Sequence, residues 1–174
     1  MLSAIHIFPA FRNHRSVDLL RAKYDPLFSL IPPHITLVFP FESTMTLDDL
    51  TEHIRTCIVG MKPFRIAMTG ITGADGAYLF LNVKVGNDPM IELHDRLYTG
   101  ILRKYLNRSF TYSPHLTVGH IHDKQLYESA LLETAQFNEA FETVVHEIAL
   151  ERIDETGRST VERKIPLLPR NPIG

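Results

Sequence analysis

The chain has no tryptophan and a single cysteine, Cys57. One thiol cannot close an intramolecular disulfide or build a thiolate metal site, so the fold needs no oxidising compartment. An excess of charge of one sign is lacking as well. Eighteen Lys plus Arg stand against twenty Asp plus Glu, a formal net charge of -2. That balance is not the footprint of a protein that grips long duplex nucleic acid, and any nucleic-acid partner should be small or locally bound. Long apolar runs are missing too. Leu27 to Phe41 is uncharged, but Pro32, Pro33 and His34 interrupt it and it is too short to span a bilayer. Met1 to Phe11 has no basic leader region, and His6 and Pro9 break its apolar stretch, so it does not read as a signal peptide. The expected location is the cytoplasm, with no membrane partner and a monomeric state.

What is present is an ordinary globular composition. At 174 residues, 44% hydrophobic and 22% charged, the chain fits one compact domain and excludes disorder and low complexity. Leu2 to Phe8 reads as a strand, and Ser16 to Tyr24 has apolar residues at helical spacing. After Pro32-Pro33, His34 to Phe41 is a strand. Thr46 and Asp49 resemble a capping box for a helix carrying Leu47, Leu50, Ile54 and Ile58 and ending by Gly60. Phe64 to Ile71 and Tyr78 to Val85 read as strands around a turn at Gly73 to Gly76. Asp88-Pro89 is expected to cap a long helix through Met90, Leu93, Leu97, Ile101 and Tyr105. His115 to Ile121 is a strand, and Asp123 begins a helix through Gln136. Phe141 to Ile153 and Ser159 to Leu167 should form a final hairpin, leaving Pro169 to Gly174 as a loose tail.

These elements repeat with an offset of about 80 residues. The expected architecture is α+β, one domain over 1–174 made of two lobes, 2–71 and 77–153, with a terminal strand 159–167. Each lobe should carry an antiparallel sheet and flanking helices, related by a pseudo-twofold axis about a central cleft. The centres of the repeat are Pro33-His34-Ile35-Thr36-Leu37 and Pro114-His115-Leu116-Thr117-Val118. Nine His and fourteen Thr make about one bare His-x-Thr match expected by chance. Requiring the proline and both apolar neighbours lowers the expectation to roughly 10⁻³ for one copy and of order 10⁻⁶ for two. Residues two apart on a strand share a face, so each lobe aims an imidazole and a hydroxyl at the cleft while the apolar neighbours anchor the strand. With unshifted imidazoles near pKa ~6.5, one ring can be a neutral base and the other a protonated acid at pH 7. The two threonines can donate to non-bridging phosphate oxygens. This set suits transesterification or hydrolysis of a phosphodiester without requiring a metal.

The segments PPHITLVFPF and SPHLTVGHI resemble the duplicated His-x-Thr motif of the 2H phosphoesterase superfamily, in its branch of 2'-5' RNA ligase-like proteins. The resemblance covers nearly the whole chain. It implies a bilobal α+β fold, action without metal or other cofactor on 2',3'-cyclic or 2'-5' phosphodiesters of a nucleotide or RNA end, and His34, Thr36, His115 and Thr117 as the catalytic set. Relatives often carry an arginine shortly after the second motif, where this chain has Gly119-His120-Ile121-His122. His120 is the residue that would occupy that slot and meet phosphate, although a regular strand would put it on the face opposite His115. Phe39, Phe41 and Tyr112 flank the motifs as candidate base-stacking rings, and Arg12 and Arg15 as candidate phosphate-steering charges. His120, His122 and His146 also raise a metal-site reading, without acidic or thiolate ligands at diagnostic spacing. Microscopic reversibility makes 2'-5' RNA ligation the main alternative. A noncatalytic nucleotide- or RNA-binding module is the other.

Overall fold

The computed structural model describes residues 1–168; the expected loose tail, 169–174, lies outside them. Eight strands and four α-helices follow in the order β1 (Leu2–Ile7), α1 (His14–Tyr24), β2 (Ile35–Glu42), α2 (Leu47–Cys57), β3 (Phe64–Ala74), β4 (Tyr78–Val85), α3 (Asn87–Leu97), β5 (His115–His120), α4 (Lys124–Thr134), β6 (Phe141–Val145), β7 (Glu147–Ile153) and β8 (Ser159–Pro166). A 3₁₀ helix, Gly100–Tyr105, lies between α3 and β5. The fold is α+β, as the sequence predicts.

The strands form one antiparallel sheet in the order β6-β3-β4-β5-β2-β1-β7-β8. Its middle is nearly cut through, because β2 and β5 share one bridged pair, Ile35 with Leu116. The two expected sheets are therefore two four-stranded halves joined at a narrow seam. Their membership is not that of the sequence repeats. The third strand of the first repeat, β3, pairs with β4 and β6, whereas β7 pairs with β1. The helices cross over too, α1 packing on β5 and α3 on β2. Each half is thus built from both repeats. Only His146 separates β6 from β7, which lie near opposite ends of the sheet order. Two steps of backbone, from Val145 to Glu147, span at most about 7 Å, so the sheet must curl until those ends approach.

The capping box forms as read: Asp49 N–H donates to Thr46 Oγ1 at 3.1 Å, and the Asp49 carboxylate accepts from Thr46 N–H at 3.0 Å. Two other readings are corrected. The helix expected to run to Tyr105 ends at Leu97; Thr99 is extended and Gly100 sits at φ 48°, so the apolar spacing continues while the α-helical backbone does not. Its N-cap is Gly86 at φ 95°, not Asp88. Phe141 to Ile153 is two strands because the chain changes halves at His146, a switch that the continuous β-forming pattern hides.

The core lies under the motif strands. Ile35, Leu37, Leu116 and Val118 are fully buried with Ile5, Leu50, Ile54, Leu79, Leu81, Leu93 and Phe141. The alternation of Pro-His-apolar-Thr-apolar thus pins each strand by its apolar face and frees the other.

Candidate active site

At the seam Ile35 faces Leu116 in an antiparallel pair. One step either way along that register sets Thr36 opposite His115 and His34 opposite Thr117. Side chains directly across such a pair have Cβ atoms roughly 5 Å apart, so the four motif residues form a compact two-by-two patch on the face turned from the core. Each half contributes one His and one Thr.

The two imidazoles are held alike. Nδ1–H of His34 donates to the Pro32 carbonyl at 2.9 Å, and Nδ1–H of His115 donates to the Ser113 carbonyl at 2.7 Å. Pro33 and Pro114 lie between donor and acceptor and fix the backbone that turns each carbonyl onto its ring. A carbonyl only accepts, so the proton sits on Nδ1 and the lone pair of the neutral ring on Nε2. Neither threonine hydroxyl is taken by a side-chain hydrogen bond among the described residues.

Burial pushes the His34 imidazole down to about 3, helped by the like charges of His6, Arg21 and His115 and opposed by the Pro32 carbonyl. Burial also lowers His115, against the Ser113 carbonyl. The expected resting pair of one neutral and one protonated ring is therefore corrected: in the free protein at pH 7 both are neutral. Stability follows with a definite sign. A group that takes its proton at lower pH when folded stabilises the fold above its unfolded value, and that stabilisation is lost as pH falls from about 6.5 toward 3. Urea unfolding at pH 7 and pH 5 should therefore show a larger loss for wild type than for His34→Gln, the carboxylates being common to both. Equal losses would mean that His34 titrates as a free imidazole.

Beside the patch lies a cleft of about 360 Å³, reached by Thr36, His115 and Thr117 and walled by Phe39, Tyr78, Phe80, Phe110 and Tyr112, with Asp75 at its rim. The Phe80 ring stacks on His115 at 3.6 Å between centroids, and Phe110 meets Phe39 edge-on at 5.3 Å. Tyr112 is fixed by donating its hydroxyl to the Thr36 carbonyl at 2.8 Å and by stacking on His94 at 3.7 Å. A wider hollow of about 740 Å³ is lined by Pro32 and Pro33 with Phe8, Phe28, Arg21 and Arg158, and none of the four motif side chains lines it.

The sequence candidates divide accordingly. Phe39 and Tyr112 line the cleft. Phe41 is a core residue, 4% exposed and packed on Tyr105. Arg12 and Arg15 lie at the start of α1, exposed, and do not line it. His120 is returned to the motif face by a bulge: Phe80 pairs with Thr117 but Leu79 with Gly119, so Val118 and Gly119 both turn inward. Gly119 suits that bend because a Cβ there would lie 2.9 Å from Tyr24 Cβ on α1. His120 then stacks on Tyr78 at 4.1 Å but lines a separate hollow toward Tyr24 and α4. Its ring approaches His122 at 4.2 Å, yet among the described residues no three His, Cys, Asp or Glu side chains are placed to hold a metal ion.

Sequence reasoning missed Tyr78, Phe80, Phe110 and His6. The alternating aromatics of β4 and a lone histidine inside an apolar strand were the available signals. His6 on β1 pairs directly with Thr36 on β2, its ring 4.4 Å from His34.

A Bacillus licheniformis protein classed provisionally as a phosphoesterase is 28% identical over 120 residues, 68% of this chain and 70% of that protein. Among solved structures, a Thermus thermophilus protein superposes with a TM-score of 0.69 at 17% identity, covering 98% of this chain and all of the other. Apo E. coli LigT gives 0.60 at 14% identity, covering 95% and 96%. Those two likenesses show the fold. The family model of the 2'-5' RNA ligase superfamily matches residues 8–157, which contain both histidine motifs, and the chain belongs to that superfamily.

Proposed function

We propose that the chain is a phosphoesterase that opens 2',3'-cyclic phosphates or cleaves 2'-5' phosphodiester bonds of nucleotides or RNA ends. The observation that carries this reading is the symmetric patch, with two imidazoles whose Nδ1–H groups are committed to backbone and whose Nε2 atoms are free, each across the seam from a threonine. One Nε2 takes a proton from water, the water oxygen bonds to phosphorus, and the bond from phosphorus to the ribose oxygen breaks as the second imidazolium gives that oxygen its proton. Thr36 and Thr117 donate to the non-bridging oxygens, where negative charge grows. Since both rings rest neutral, the acid ring takes its proton from solvent as substrate binds: a bound phosphate anion favours the charged form of the ring beside it.

The aromatic cleft supports a nucleoside as the rest of the substrate. Its lining has no Lys or Arg and offers ring faces instead, which suits a base better than a polyanionic strand. E. coli LigT, the structural neighbour, has been crystallised with 3'-AMP and with ATP. The test is a panel of 2',3'-cyclic nucleotides and 2'-5' dinucleotides assayed with EDTA from pH 5 to 9. Turnover of one bond class with a single product isomer is expected. No turnover on any member would end the reading for these substrates.

A further inference from the structure

The pseudo-twofold symmetry of the patch fails one strand away. His6 on β1 pairs with Thr36 in the same manner as Phe80 on β4 pairs with Thr117. In these equivalent slots, His6 packs against His34 and Phe80 stacks on His115. One half therefore has an imidazole where the other has a phenyl ring. His6 is 3% exposed, and its Nδ1 is hydrogen-bonded to Glu151 Oε2 on β7, itself 1% exposed. The other carboxylate oxygen accepts from the Ser159 hydroxyl at the start of β8.

A buried carboxylate is costly unless paired, and a buried ion pair is often no more stabilising than apolar residues of the same size. Stability alone is thus a weak reason for this chain of contacts. Direct binding is a weak reason as well, since His6 and Glu151 line neither the aromatic cleft nor the wider hollow, and only Ser159 reaches the latter. What the chain does touch is the His34 ring. We propose that His6, fixed by Glu151 and Ser159, is a positioning residue for His34 alone, and that it makes the two histidines of the patch unequal in proton transfer. The inference rests on the phosphoesterase reading for the use of that inequality, though not for its existence.

The charged groups around the two rings give the inequality its direction. His34 is faced by His6 from β1, Arg21 from α1 and His115 from β5, all of which disfavour a proton on it. Around His6 the facing groups are the Glu151 carboxylate and His34, with the edge of Phe8 at 6.1 Å between centroids. His115, stacked on Phe80, shares with His34 only their mutual repulsion and has no counterpart of His6 beside it.

Ring-nitrogen NMR of the free protein between pH 3 and 8 tests this in wild type, His6→Gln and the double variant His6→Phe/Glu151→Gln. The double variant makes the first half resemble the second, and the glutamine amide that replaces the Glu151 carboxylate still accepts from Ser159. In wild type, His34 should protonate at lower pH than His115. In the double variant the protonated-to-neutral ratio of His34 at a given pH should rise about tenfold, one pH unit, with His115 unmoved. His6→Gln, which removes the facing ring and keeps an amide to bond Glu151, should shift His34 in the same direction, and it decides the matter if the double variant does not fold. Wild-type histidines that titrate together, or a His34 unmoved in folded variants, would overturn the proposal. A purely structural role would lower Tm and leave both midpoints in place. Failure of the substrate panel would remove the phosphoesterase reading without touching these titrations, and unmoved midpoints in an active enzyme would remove only this inference.

Discussion

His34→Ala and His115→Ala should each lower kcat/KM on the cleaved phosphodiester by 10² to 10⁴, about 3 to 5 kcal/mol of transition-state stabilisation. Each ring has its own carbonyl partner, so removing one leaves the other placed as before. The double variant should nevertheless be little worse than the weaker single one, because acid and base act on the same bond and their losses do not add. The measurement is kcat and KM for wild type and the three variants at the pH optimum. A loss confined to KM would show that the rings only bind phosphate. A loss that doubles in logarithm in the double variant would show that they act in separate steps.

Asp25→Ala should destabilise the fold by about 3 to 5 kcal/mol in urea unfolding, a Tm drop on the order of 10 °C for a chain of this length. Arg21 in the last turn of α1 pairs with Asp25, the residue that caps its C-terminus, Nε to Oδ2 at 2.7 Å, with side chains 1% and 4% exposed. The second carboxylate oxygen accepts from the backbone N–H of Leu27 at 2.9 Å, so the one carboxylate holds both the buried cation and the chain leaving the helix. Nη1 and Nη2 of Arg21 have no protein partner, which leaves Asp25 as the only anion that offsets the buried guanidinium among the described residues. Removing Asp25 strands that charge, whereas removing both does not. Arg21→Met/Asp25→Ala should accordingly recover most of the lost stability. A cost for Asp25→Ala below about 1 kcal/mol would place the pair with ordinary surface bridges.

The motifs were legible because the same short alternation both pins a strand and aims its chemistry. Pro33-His34-Ile35-Thr36 states the core contact and the site in one phrase, and its second copy removes chance as an explanation. Elements whose order depends on distant partners were not legible. Nothing in Phe141 to Ile153 marks His146 as the point where the chain changes halves, because both sides of it satisfy the same β pattern. Nor does the run from Met90 to Tyr105 announce its break, since Gly100 leaves the apolar spacing intact while changing the backbone. Regular alternation puts His120 on the wrong face for a similar reason: a bulge adds one residue and inverts the alternation. His6 shows the other limit. Its meaning lies in Glu151, 145 residues away.

The exchange of third strands has a consequence for how such a chain can be divided. Severed at Gly76, the first piece would keep β3 without β4 or β6, and the second would keep β7 without β1. A polypeptide of one repeat could finish its sheet only on a second copy, as swapped protomers do. Each piece would still carry a single motif His and a single motif Thr, so the patch would be no more separable than the sheet. The chain is thus arranged like an interlocked dimer made covalent, and because its two repeats are one polypeptide their residues can differ, one slot holding His6 and its counterpart Phe80.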